Sequence, residues 1–125
     1  MSESNGYMTA AALFAGPPKR QYADVMVQGR KFRLRSLTAA ELNSVDAEHV
    51  AALASGDKSG AKRALSTLPA RRIAQVCCDG NGDRIFNDDD VTRILELPSA
   101  LVAELASACD SHLSLSTDLE DVEKN

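Results

Sequence analysis

Apolar and polar positions change period along the chain, and each change marks an element. Tyr22 to Leu37 has the two-residue period of a strand pair. Val25 and Val27 alternate with more polar neighbours. Gln28-Gly29 or Gly29-Arg30 supplies a turn, and Phe32 and Leu34 then point one way. Lys31, Arg33 and Arg35 point the other way and form a basic strand face. From Thr38 the period becomes helical. Thr38-Ala39-Ala40-Glu41 is a capping box, in which the Thr hydroxyl and the Glu carboxylate each satisfy a free backbone N–H. The helix it opens is expected to reach Ala54, with Leu42, Val45, His49, Ala52 and Leu53 on one stripe.

Ser55-Gly56-Asp57 ends that helix, and Lys58-Ser59-Gly60 reads as a loose polar link. Ala61 to Leu68 is helical, with Leu65 and Leu68 inward. Pro69 marks a boundary or opens the next helix, and Ile73, Ala74, Val76 and Cys77 continue the apolar face. Asp79-Gly80-Asn81-Gly82 is strong turn chemistry. It is expected to join two short arms, Val76 to Cys78 and Arg84 to Phe86. Asn87 then caps a helix from Asp88 to Glu96, whose three leading aspartates meet the positive end of its dipole. Val91, Ile94 and Leu95 are its inward residues. Pro98 opens another helix, in which Leu101, Leu105, Cys109 and His112 fall at helical spacing. Thr117-Asp118-Leu119-Glu120 is a second capping box, with Leu119 and Val122 on one side of a short acidic helix. Ahead of the hairpin, Thr9 caps Ala10 to Ala15, and Gly16-Pro17-Pro18 stops it.

These elements predict an α+β fold, an N-terminal β-hairpin followed by a mostly helical bundle with a short turn between helices. Residues 1–20 form a flexible arm, 21–114 a single domain and 115–125 an acidic tail. The chain has 125 residues, enough for one core. Aromatics make up only 4% and Trp is absent, so that core must come from Leu, Val, Ile and Ala. No stretch has the length of a membrane-spanning helix, and the N-terminal segment lacks a basic leader pattern.

Charge is divided unevenly. Residues 1–36 carry six basic and two acidic side chains, and residues 37–125 carry eight basic and sixteen acidic, so net +4 faces net −8. Two solvated faces would explain this, and so would self-association of the basic hairpin with an acidic surface. The basic strand has no aromatic on its charged face for base stacking and the whole chain is acidic, which argues against nucleic acid. Cys77, Cys78 and Cys109 have neither disulfide-framework nor zinc spacing, so Cys77 and Cys109 read as small buried hydrophobes in a reducing compartment.

Asp79 to Asp90 can also be read as a calcium loop. Counting from Asp79 places oxygens at Asp79, Asn81, Asp83, the Ile85 carbonyl, Asn87 and Asp90. Arg84 stands where the loop needs a glycine, and Asp90 is shorter than the usual bidentate Glu. No second loop accompanies it. The turn-and-cap reading explains the same residues without a metal. No catalytic motif is present (no GxSxG, HExxH, phosphate loop or dinucleotide fingerprint), so a non-enzyme with no cofactor is expected.

The order of motifs resembles a known family. Lys31-Phe32-Arg33-Leu34-Arg35-Ser36-Leu37 runs into Thr38-Ala39-Ala40-Glu41-Leu42. Then come Arg71-Arg72-Ile73-Ala74-Gln75-Val76, the turn Asp79 to Phe86, Asn87-Asp88-Asp89-Asp90-Val91, and the acidic close from Leu115 to Asn125. Over roughly residues 20–125 the chain is similar to the small tail assembly chaperones of long-tailed bacteriophages and prophages. The resemblance implies a protein that binds the tape measure protein and helps recruit tail tube subunits, and that is absent from the mature virion. It implies action in the cytoplasm of the infected bacterial host, self-association in several members, and in many a longer product made by −1 ribosomal frameshifting. Glu123-Lys124-Asn125 permits a slippery codon run at that point. The family brings no catalytic residues. Contacts are therefore expected at the basic residues Arg30, Lys31, Arg33 and Arg35, and on the amphipathic helices, at Leu101, Leu105, Leu119 and Val122. The alternatives are a minor structural virion protein (a head–tail connector or tail tube component) and a calcium-binding regulator.

Overall fold

The computed structural model describes residues 6–124, with residues 114–124 described as backbone only. The fold is α+β. A short helix α1 (Ala10–Ala15) precedes strands β1 (Tyr22–Val27) and β2 (Arg30–Arg35). Helices α2 (Ala39–Ser55) and α3 (Lys58–Val76) follow, then a two-residue strand β3 (Cys77–Cys78). A 3-10 turn (Asp88–Asp90) leads into α4 (Val91–Leu95), and α5 (Ser99–Lys124) closes the described chain.

The hairpin turn is Gln28-Gly29. Both residues have positive φ, at 50° and 77°, the left-handed conformation whose twist suits a two-residue hairpin loop. β1 and β2 are antiparallel, with Val25 opposite Phe32 and Val27 opposite Arg30. β3 adds a third antiparallel strand on the far side of β2, pairing Leu34 with Cys77 and Arg33 with Cys78. The arms expected at Val76 to Cys78 and Arg84 to Phe86 meet only in part, the Ile85 N–H donating to the Cys77 carbonyl at 3.3 Å across the Asp79–Asp83 turn. Val76 ends α3, and only a single bridge joins Cys78 to Arg84. The apolar Cys77-Cys78 pair thus lies between β2 on one edge and Arg84 on the other, and both cysteines are buried.

One face of this small sheet meets the helices. Val27 and Leu34 join Ile73, Ala74, Val76, Cys77, Ile94, Leu105, Ala106 and Cys109 in one core. α3 runs through its centre, between α2 on one side and α4 and α5 on the other.

Several expected boundaries and faces move. Lys58-Ser59-Gly60 is the first turn of α3, because the Asp57 carboxylate accepts from the Gly60 N–H and caps it. Pro69 lies inside that helix. Its missing bond leaves the Leu65 carbonyl free, and Leu65 is on the exposed side, where water can replace the bond. Leu65, Leu42, Leu53 and Leu95 are exposed rather than inward. α2 packs only along Val45 and its neighbours, so its apolar stripe is wider than its buried one. The acidic tail continues α5 as helical backbone, and Thr117 lies within that helix instead of opening a new one.

Candidate partner-binding surfaces

The basic residues of β2 divide into open and committed ones, with Arg30, opposite Val27, on the other face from Lys31, Arg33 and Arg35. Arg30 and Lys31, at the start of β2 next to the hairpin turn, are exposed. Lys31 stands 3.9 Å from Asp24. Arg33 is held more firmly: its Nε and Nη2 donate to the two Asp24 oxygens at 2.8 and 3.3 Å, and Nη1 donates to the Gly80 carbonyl. Arg33 accordingly holds the Asp24 carboxyl below its ordinary range.

Arg35 is not a surface residue. It is 8% exposed, donates through Nε to the Gln75 carbonyl at 2.7 Å and through Nη2 to Gln75 Oε1. Arg84 Nε donates to the adjacent Ala74 carbonyl at 2.9 Å. The last turn of α3 contains no basic residue of its own. Its unpaired carbonyls, at the negative end of the helix dipole, are capped instead by two arginines from other elements. Burial, opposed by nearby Glu41, lowers the Arg35 pKa, with Arg20 and Arg84 pushing the same way as burial.

Glu41 is the acceptor that holds this corner together. Its Oε1 takes hydrogen bonds from the Thr38 N–H and Arg20 Nη1, both at 2.8 Å, and its Oε2 takes one from Arg20 Nη2. Arg35 Nη2 lies 3.6 Å from Oε2. The Arg20 hydrogen bonds lower the Glu41 pKa from its ordinary 4.5 to about 2, with help from the Thr38 N–H and Arg35 and against the cost of burial. The capping box was visible in sequence, whereas the ion pairs on its Glu come from residues on either side of the hairpin.

Leu105 is fully packed in the core and Leu101 is half-buried against it. The expected contact face at these two positions is thus used for folding. Leu119 and Val122 lie outside the residues whose side chains are described. Exposed apolar side chains are instead found on α2 at Leu42, Val50 and Leu53. At 100° per residue these fall within about an 80° arc on one side of the helix. Helical periodicity had placed Leu42 and Leu53 on the right stripe, but a sequence does not say which part of a stripe is covered.

The candidate calcium loop has a different geometry from the one ligation requires. Asp79 Oδ1 accepts from the N–H groups of Asn81 and Asp83, at 2.8 and 3.0 Å, as in an Asx-turn. The left-handed residue is Gly82, with φ 86°, and not Arg84. Asp90 Oδ2 accepts from the Asn87 N–H, and Asn87 in turn caps the Asp89 N–H. Among the described residues no three His, Cys, Asp or Glu side chains gather as a metal site.

The cysteines are buried free thiols. A hydrogen bond with Cys77 and burial raise the Cys109 pKa, and burial raises that of Cys78. Neither is a thiolate at neutral pH. Among the described residues no helix is long and apolar enough to cross a membrane. No family model, curated protein or solved structure matches this chain.

Proposed function

We propose that this protein is a tail assembly chaperone that binds the tape measure protein while a phage tail is built and helps recruit tail tube subunits around it. It acts without catalysis, in the cytoplasm of the infected host. The observation that favours this reading is the stripe of Leu42, Val50 and Leu53 left uncovered on α2. A chaperone for a long helical partner needs an apolar helical face to pack against it, with charge at the edges for register. Arg30 and Lys31 supply exposed positive charge on the hairpin. The ordering of the motifs along the chain, set out above, points to the same family.

The test uses purified tape measure protein from the same phage genome. The full chain should bind it, and Leu42→Asp with Leu53→Asp should abolish binding while the thermal unfolding temperature stays near that of the parent. Mass spectrometry of purified virions provides the second arm. A chaperone is absent from them. Presence at a fixed copy number would replace this reading with a connector or tail tube component.

A further inference from the structure

The arm ahead of the sheet is apolar, helical and undocked. α1 has six residues, far short of the length at which a helix holds by itself in water. Thr9 caps it by accepting from the Ala12 N–H, yet none of its residues is buried. Phe14 is 79% exposed, and Tyr7, Met8 and Leu13 are exposed beside it. Residues 6–16 contain no charged side chain. An apolar segment of this kind needs a surface to cover it.

The base of the arm is fixed. Arg20 is clamped to Glu41 and to the Ser36 carbonyl, and the Gln21 N–H donates to Ser36 Oγ. Pro17-Pro18 stiffens the link between this base and α1. The arm therefore leaves a fixed base and carries an apolar tip that its own domain does not bury.

The chain also carries a receptor of matching chemistry. A cleft of about 330 Å³ lies against α4, lined by Ile85, Phe86, Ile94 and Leu97 together with Asp90 and Arg93. Ile85 and Leu97 are substantially exposed. The α2 stripe is a convex helix surface suited to another helix. A single aromatic anchor needs a concave seat, and this cleft has one, at the lower end of the volume range of ligand pockets.

We infer that the arm of one copy seats Phe14 in the Ile85–Leu97 cleft of a second copy. The contact is apolar on the arm side, so it holds as salt rises, unlike an association of the basic hairpin with an acidic surface. It does not depend on the chaperone reading, since both halves belong to this chain.

Light scattering on the full chain, across a concentration series at low and high salt, tests the inference. The parent should self-associate at both salts. Phe14→Asp, Leu97→Asp and the independent cleft variant Ile85→Glu should each weaken association roughly 30-fold or more, the size of a lost anchor. Circular dichroism should show the same helix content in all three. An equimolar mixture of Phe14→Asp and Leu97→Asp should form a complex of two chains, because one variant keeps a sound cleft and the other a sound arm. The double variant should not. A monomeric parent at every concentration overturns the inference. So does association that Phe14→Asp or both cleft variants leave intact, or a mixture that fails to complement. Association that disappears at high salt assigns the contact to the charged surfaces instead.

Discussion

Glu41→Gln removes the charge of the one carboxylate shared by a helix cap, Arg20 and Arg35. The substitution keeps the shape of the side chain and an oxygen for the Thr38 N–H, but it removes the negative charge and puts an N–H donor where Oε2 accepts from Arg20 Nη2. In the fold the Glu41 pKa falls from 4.5 to about 2. At 1.36 kcal/mol per unit this corresponds to about 3 kcal/mol of differential stabilisation. The side chain is 26% exposed, so solvent screening trims the figure to about 2–3 kcal/mol. Because the folded value lies below the unfolded one, this stability is fully present above pH 4.5 and is lost as pH falls through about 2. Urea unfolding followed by circular dichroism at a series of pH values measures it. The variant should be about 2–3 kcal/mol less stable than the parent near pH 7, a fall in melting temperature of about 8–12 °C for a chain of this size. The two proteins should converge between pH 4.5 and 2, where the parent carboxylate becomes protonated and resembles the amide. A difference below about 0.5 kcal/mol at pH 7, or one that stays constant with pH, would refute the role assigned to Glu41.

Three further outcomes are expected. Gly82→Ala should destabilise the fold by about 1–2 kcal/mol in denaturant unfolding, since φ is 86° and the added methyl would meet the Tyr22 hydroxyl at 2.6 Å; an unchanged midpoint would contradict the turn geometry. The three buried thiols should react with a disulfide reagent only when the protein opens, so labelling should quicken with denaturant; rapid labelling of the native chain would contradict their burial. Calorimetric titration with calcium should give no binding tighter than millimolar, because Asp79 and Asp90 are engaged by backbone N–H groups. Micromolar binding removed by Asp79→Ala would reinstate the calcium loop.

Local chemistry was legible in the residues themselves. Thr9, the Thr38–Glu41 capping box, Gln28-Gly29 and Asn87 each act within three residues of their own position, and each does so in the structure as its residue type requires. The hairpin and the α+β class follow from the change of period at Thr38, which depends only on neighbouring side chains. What tertiary structure decided lies at longer range. That Cys77-Cys78 pairs with Leu34 and Arg33 as well as with nearby Arg84 could not be read locally, because β2 lies more than forty residues earlier in the chain. Arg35 looked like the third cation of an open face, yet the carbonyl ends of α3 draw it inside, and no local pattern marks that need. Pro69 continues a helix even though it cannot bond the Leu65 carbonyl, and Leu65 lies on the exposed side of that helix, a fact of packing and not of propensity. Leu42 and Leu53 share a stripe with Val45, but α3 covers only part of it. Periodicity defines a helix's apolar side, and only the neighbour that packs there decides how much of that side is left for a partner.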